Sequence, residues 1–480
     1  MKATKIVATL GPASDTVEII AAMIGAGCDV FRLNFSHGTA EDHMSRANRV
    51  REAAALVGRE VAIMGDLQGP KIRVGKFEGG KAWLEAGQPF LLDAALDSKA
   101  PVSNSQQASL DYKELPQDVK VGDTLLLSDG LIQLKVERVV GDKVFTIVEL
   151  GGELSNNKGI NRLGGGLTAA ALTAKDMADI KTAVEINCDY LAISFPKSAN
   201  DMQTARSILA AAGGKAKLIA KIERAEAIIP QTLDEIIDAS DGIMVARGDL
   251  AIEVGNAAVP ALQKRMIKRA RDRNKLTITA TQMMESMISA PVPTRAEVSD
   301  VANAVLDGTD AVMLSAESAT GKYPVETIRT MTAIALAAER SQVYELDSDF
   351  INQQFVRVDQ AIAMAALFTA FHLNVKAIAA LSQSGSTALW MSRHDSGVPI
   401  YALTPEVSAA RRAALYRGVR PVVLPFDSDR ENALLSAENA LKARGAVDDG
   451  DLIVLSCGEP MGKSGGTNAL KVVRVGELRG

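Results

Sequence analysis

The stretch Leu218-Ile219-Ala220-Lys221-Ile222-Glu223-Arg224 and its successor Gly242-Ile243-Met244-Val245-Ala246-Arg247-Gly248-Asp249 decide the fold. Each is an apolar run of strand length that ends in ionisable residues, the pattern of a parallel strand buried on both faces. Lys221 and Glu223 are two apart, so on a strand they point to one side, and Asp249 closes the next strand unit. One ammonium and two carboxylates suit a hard divalent cation together with an anionic, phosphorylated ligand. A Lys-x-Glu pair alone is commonly a solvated strand end. Ionisable residues that follow apolar strands repeatedly mark where parallel-sheet proteins place ligands.

Working outward, six more such runs occur at 4–10, 30–35, 61–67, 190–195, 276–280 and 311–315, with helical patterns between, as at 16–26, 174–185 and 261–273. Eight strands alternating with helices predict an α/β chain built on a closed (β/α)₈ TIM barrel, with function at the carboxyl ends of the strands. Those ends carry Arg32, Asn34, Ser36 and His37, then Asp66, Lys221 and Glu223, Arg247 and Asp249, Thr281 and Gln282, and Ser315 and Glu317.

One interval breaks the rhythm. Residues 68–165 are rich in Gly-Asp and Asp-Gly turns between alternating strands at 131–139 and 143–150, which predicts an inserted small β-barrel placed as a lid on the active face. The barrel is thus expected over 1–67 and 166–340. A C-terminal open α/β domain is expected over 341–480, with strands at 377–381, 400–403, 422–424 and 452–456. Two polar loops stand out there: Ser382-Gln383-Ser384-Gly385-Ser386-Thr387, between a strand and a helix, and Gly462-Lys463-Ser464-Gly465-Gly466-Thr467. Hydroxyls and backbone N–H groups at a helix start bind phosphate without net protein charge, although Ser and Thr also cap ordinary helices.

The chain has 480 residues, too many for one core, and its 47% apolar content is that of an ordinary globular protein. A net charge of −5 without a basic stripe argues against nucleic acid or an anionic membrane surface as partner. Cys28, Cys188 and Cys457 are far apart and lack metal-ligand spacing; the four histidines do not form a zinc set. With no signal-peptide pattern at the amino terminus, and an apolar stretch at 362–371 too short to span a bilayer, a cytoplasmic protein is expected.

Five segments then carry a resemblance: Thr4-Lys5-Ile6-Val7-Ala8-Thr9-Leu10-Gly11-Pro12, Arg32-Leu33-Asn34-Phe35-Ser36-His37-Gly38, Lys221-Ile222-Glu223, Ala246-Arg247-Gly248-Asp249-Leu250 and Ala280-Thr281-Gln282-Met283. In this order and spacing the chain resembles the bacterial pyruvate kinases over essentially its whole length. The resemblance implies transfer of the phosphoryl group of phosphoenolpyruvate to ADP, giving pyruvate and ATP. It implies Mg²⁺ or Mn²⁺ on Glu223 and Asp249, Lys221 neutralising the phosphoryl group in flight, and Arg32 gripping the phosphate. The backbone around Arg247, Gly248 and Asp249, with the Thr281 hydroxyl, should hold the substrate carboxylate. Asn34, His37, Arg73 and Lys158 should meet the nucleotide. Thr281, Ser315 and Glu317 are candidates for a relay that protonates the enolate, with no single donor assigned.

Asn34, Ser36, Asp66 and Leu67 form the monovalent-cation region. There Lys71 stands where the potassium-dependent branch of the family has glutamate, so the chain resembles the branch that does not require K⁺; a tethered ammonium supplies the missing charge. The family also implies a homotetramer and activation by a phosphorylated metabolite, a sugar monophosphate or AMP, at Ser382, Gln383, Ser384, Gly385, Ser386 and Thr387 with Lys463. Two other readings compete. A metal-dependent barrel lyase or aldolase would use the same groups around an enolpyruvate but has no need of an ADP-binding insertion. A non-catalytic sensor would be expected to have lost the acidic pair, which is intact.

Overall fold

A computed structural model describes residues 2–342, 354–426 and 429–477. Residues 343–353, at the start of the expected C-terminal domain, lie outside them.

All eight expected barrel strands form: β1 Lys5–Thr9, β2 Val30–Asn34, β3 Ala62–Asp66, β4 Tyr190–Ile193, β5 Lys217–Ile222, β6 Gly242–Ala246, β7 Leu276–Ala280 and β8 Ala311–Leu314. They pair in parallel and in chain order, and β1 closes the ring by pairing with both β2 and β8. The outer faces of the strands pack against the helices, while Val7, Met64, Tyr190, Ile219 and Met244 belong to a core shared with the C-terminal domain. Helices start where the sequence caps them: Thr16, Thr39, Thr173 and Thr294 each accept the N–H three residues on.

One expectation is corrected. Asp249 does not close a strand, because β6 ends at Ala246 and Arg247–Val254 is a helix. Asp249 thus sits in the first turn of that helix, where a carboxylate is favoured.

The insertion curls a six-stranded sheet and two short ribbons around one apolar core that includes Phe77, Leu84, Phe90, Leu92 and Leu134. The Asp129-Gly130 and Gly141-Asp142 signals become the turns at either end of the strand Ile132–Val140, with Asp129, Gly130 and Gly141 at positive φ. Its exit to the barrel is hooked down just past Glu223. Arg224 Nη1 donates to Leu167 O (2.8 Å), the Gly166 N–H to the Glu226 carboxylate, and the Gly164 N–H to Glu253 O (2.9 Å). Gly164, Gly165 and Gly166 all have positive φ, a path side chains rarely follow.

The C-terminal sheet runs Val419–Val423, Ile400–Thr404, Ala377–Leu381, Leu452–Gly458 and Thr467–Arg474; its first four strands are parallel. The antiparallel edge strand Thr467–Arg474 is not among the expected strands; of its residues only Thr467 entered the sequence reading, as the end of a polar loop. The domain packs under the barrel floor, where Tyr190 Oη donates to Arg412 O (2.6 Å) and Arg393 Nη1 to Asp310 Oδ2 (2.9 Å).

Candidate active site

At the carboxyl ends of β3 and β5 the chain buries opposite charges against one another. Lys221 Nζ lies 2.8 Å from Glu223 Oε1 and 3.3 Å from Asp66 Oδ1, and donates to Ser194 Oγ at 2.8 Å. Arg32 Nε donates to Asp66 Oδ2 (2.6 Å) and its Nη1 to Thr9 Oγ1 (3.0 Å). Asp66 and Glu223 are each 1% exposed. Burial by itself would depress the Lys221 ammonium, but Asp66 and then Glu223 carry its pKa above the usual lysine range. Burial likewise opposes ionisation of Asp66, yet Arg32 and Lys221 hold its carboxyl below the ordinary value.

These groups floor a cavity of about 430 Å³ between barrel mouth and insertion. Arg32, Asn34, Ser36, Asp66, Leu67, Lys71, Lys221, Glu223 and Asp249 line it from the barrel and the start of the insertion, and Arg73, Asp129, Asn157 and Lys158 from further along the insertion. Eleven of the expected site residues therefore share one space: those nine with Arg73 and Lys158.

Others stand differently from expectation. Asp66, expected in the monovalent-cation region, pairs with both Arg32 and Lys221. The Gly248 N–H, expected to face the substrate carboxylate, is taken by Thr281 Oγ1 at 2.9 Å. The Arg247 side chain turns aside, donating to Thr281 O from Nη2 (2.5 Å) and pairing with Asp300 (2.7 Å). It braces a strained turn, for Thr281 has φ 72°, unusual for a β-branched residue. Glu317, expected in the proton relay, is buried with Oε1 accepting the Met284 N–H and Oε2 the Ser315 N–H, so it ties the ends of β7 and β8 together. Ser315 is half-buried beside it, and His37 is exposed, 3.4 Å from Asn34 through Nδ1.

Sequence reasoning missed Ser194, whose Oγ accepts a hydrogen bond from the Lys221 ammonium and donates to Leu67 O (2.7 Å). The rule that picked the other strand ends points to it, since it follows β4. It also missed Asp129 and Glu253 in the cavity wall. Burial raises the Glu253 carboxyl to about 7.

Glu223 and Asp249 are hard oxygen donors, as Mg²⁺ or Mn²⁺ requires, and among the described residues no cluster of three or more candidate ligands surrounds them. A cation held by this pair would keep most of its sphere for substrate oxygens and water, which suits Mg²⁺ in phosphoryl transfer. Burial raises both carboxyls, Glu223 to about 7. Below that pH a proton must leave before a cation binds. The apparent Mn²⁺ affinity, read by electron paramagnetic resonance, is therefore expected to fall about tenfold per pH unit below pH 7 and to level off above it. A flat profile would show that no carboxyl raised to about 7 stands between the cation and its ligands.

In the C-terminal domain the two polar loops, far apart in sequence, meet in one small pocket lined by Ser382, Gln383, Gly462, Lys463, Gly465 and Thr467. Gly385, at φ 80°, precedes the helix Ser386–Ser392. Ser382 Oγ accepts the Gly385 N–H (3.1 Å), Ser384 Oγ donates to Ser386 Oγ (3.2 Å), and Thr387 and Thr467 join hydroxyls at 2.7 Å.

A closed parallel barrel whose mouth sets a buried ammonium and guanidinium beside an acidic pair, under an inserted basic wall, defines a metal-assisted phosphotransferase. The chain belongs to the pyruvate kinase family: residues 1–328 match its barrel domain and 360–473 its alpha/beta domain. It is 52% identical to pyruvate kinase II of Salmonella typhimurium over 99% of both chains, and 51% identical to the pyruvate kinase of Haemophilus influenzae over 95% of this chain and 96% of that one. The crystal structure of a pyruvate kinase from Cryptosporidium parvum superposes with a TM-score of 0.92 at 34% identity, covering 99% of this chain and 96% of the other.

Proposed function

We propose that the chain catalyses phosphoryl transfer from phosphoenolpyruvate to ADP. The observation that carries it is Lys221 held between Asp66 and Glu223 on the cavity floor, with Arg32 on the other side of Asp66. The bond between phosphorus and the enol oxygen breaks while a terminal ADP oxygen bonds to phosphorus, and the enolate left behind takes a proton at carbon to become pyruvate. Lys221 and Arg32 are placed to grip the phosphoryl oxygens, with positions fixed before the reaction by carboxylates that cost no reorganisation. Mg²⁺ or Mn²⁺ on Glu223 and Asp249 would supply Lewis-acid stabilisation of substrate oxygens. Arg73 and Lys158 stand where nucleotide phosphates would enter, and Lys71 supplies the charge that makes K⁺ dispensable. Thr281 and Ser315 remain the candidates for the proton relay, since both Glu317 oxygens are engaged with backbone.

A lactate dehydrogenase-coupled assay tests the reading. Pyruvate release that requires both ADP and Mg²⁺ is expected, and ADP-independent release would favour a lyase. The reading extends by family resemblance to a cytoplasmic homotetramer. No described helix is long and apolar enough to cross a membrane.

A phosphorylated metabolite, a sugar monophosphate or AMP, is proposed to activate the enzyme at residues 382–387 with Lys463. The converging loops and the amide-rich helix start support it. Ser384→Asp with Ser386→Asp places two carboxylates where phosphate would sit and is expected to abolish activation in the same assay, with effector-free turnover as control. Unaltered activation would refute the assignment.

A further inference from the structure

The corner that follows β4 consists of Ser194 and Phe195, and both reach across to side chains of β5. Ser194 Oγ accepts from Lys221 Nζ at 2.8 Å and gives its one hydrogen to Leu67 O at 2.7 Å, while the Phe195 N–H donates to Glu223 Oε2 at 2.8 Å. Leu67 in turn donates its own N–H to Ala192 O (3.0 Å), so the ends of β3 and β4 are stitched together where the hydroxyl sits. Ser194 is buried, and solvent has no access to take its place.

The corner is held under strain. Phe195 has φ 56°, a left-handed conformation that is costly for a residue with a Cβ. Gly69, at φ 67°, presses against it: a Cβ there would stand 2.7 Å from Ser194 Cβ and 3.0 Å from Phe195 Cδ2. The Gly69 N–H is fixed in turn by Asp176 Oδ1 (3.0 Å). On the other side the Arg224 guanidinium carbon lies 5.5 Å from the centre of the Phe195 ring. A strained turn persists only where its surroundings over-determine it, and what this one sets is the direction of one hydroxyl and one N–H.

Lysine carries a compact charge on a flexible four-carbon stem, so ion pairing draws the ammonium without fixing its direction. Glu223 and Asp66 supply that attraction. Glu223 is also an expected ligand of the divalent cation, so its hold on Nζ is shared. The Ser194 hydroxyl, with its hydrogen committed to Leu67 O, acts toward Lys221 as an acceptor only and meets the ammonium from a fixed point.

We infer that, in phosphoryl transfer as proposed above, Ser194 is a positioning residue: its hydroxyl, oriented by Leu67 O, aims the Lys221 ammonium at the migrating phosphoryl group. Misplacing a group by about 1 Å at a reacting centre costs up to about a hundredfold in rate, so the effect of Ser194 belongs to turnover rather than to substrate binding.

A double-mutant cycle in the lactate dehydrogenase-coupled assay tests this. Ser194→Ala is expected to lower kcat by about tenfold to a hundredfold, with the KM for phosphoenolpyruvate changed by about threefold at most. Because the serine works through the ammonium, Ser194→Ala added to Lys221→Met should lower kcat by no more than about twofold beyond Lys221→Met alone. A merely structural serine would cost the same in both backgrounds. Ser194→Cys fills the same corner with a weak acceptor and should repeat the loss, so the result does not depend on how the alanine variant folds. A smaller loss of kcat, a loss that falls on KM, or an equal loss in both backgrounds overturns the role. Wild-type protein that releases no pyruvate with ADP and Mg²⁺ fails the phosphoryl-transfer reading itself, and the role falls with it; an active wild type with indifferent Ser194 variants fails the role alone.

Discussion

Lys221→Met should reduce kcat by about a thousandfold or more while the KM for phosphoenolpyruvate changes far less. The ammonium lies between Asp66 and Glu223 within a nearly closed floor, so its charge acts on the migrating group with little screening by water. A phosphoryl group in flight draws on a fixed positive charge more than the ground-state ester does, so the loss falls on turnover. The substitution has a second effect. It leaves two buried carboxylates without their shared cation, a loss of the order of 3–5 kcal/mol in stability when one partner of a buried pair is removed. Glu223, already raised to about 7 by burial, loses the neighbour that opposes the rise. The variant's Mg²⁺ requirement should therefore shift to higher concentration and higher pH, while added metal should not restore kcat. Coupled-assay kinetics across pH, with circular dichroism to confirm folding, check this. A variant retaining a tenth of wild-type kcat would remove Lys221 from the chemistry.

Much of this floor was legible before any coordinates, because barrel topology converts strand ends into neighbours. Arg32, Asp66, Lys221 and Glu223 come from three strands, and the rule that strand ends line the mouth is enough to bring them together. What the rule leaves out is direction. Glu317 and Arg247 also follow strands, yet their side chains turn to backbone groups and to Asp300, because a strand end that breaks straight into a helix leaves N–H groups and charges to satisfy. The two ion pairs of Asp66 are hidden for the same reason: one dimension shows an acid at the mouth but not the two cations beside it. In the C-terminal domain the two polar loops were visible by composition, but the edge strand Thr467–Arg474 hid behind the glycines that precede it.

Lys71→Glu should make turnover dependent on potassium. Lys71 lines the mouth half-buried, with its pKa lowered by burial and then by Arg73 and Lys221, and sustained by Asp249. Its amine shares the cavity wall with Asp249, in a place where solvent cannot readily supply a charge. Exchange for glutamate changes the local charge by two units and puts a carboxylate beside Asn34 and Ser36, oxygen groups of the same cavity wall. In buffer with tetramethylammonium as the sole monovalent cation, the parent protein should retain most of its rate. The variant should fall by about a hundredfold, the scale of one lost electrostatic contact in a desolvated site. Potassium is small enough to enter the wall where tetramethylammonium is not, so adding it should restore the variant and leave the parent nearly unchanged. Neutral Lys71→Gln separates the two contributions: it loses the ammonium without gaining a ligand, so its rate should fall and potassium should rescue it poorly. A parent protein that itself needs potassium would show that the ammonium of Lys71 does not do the work of the ion.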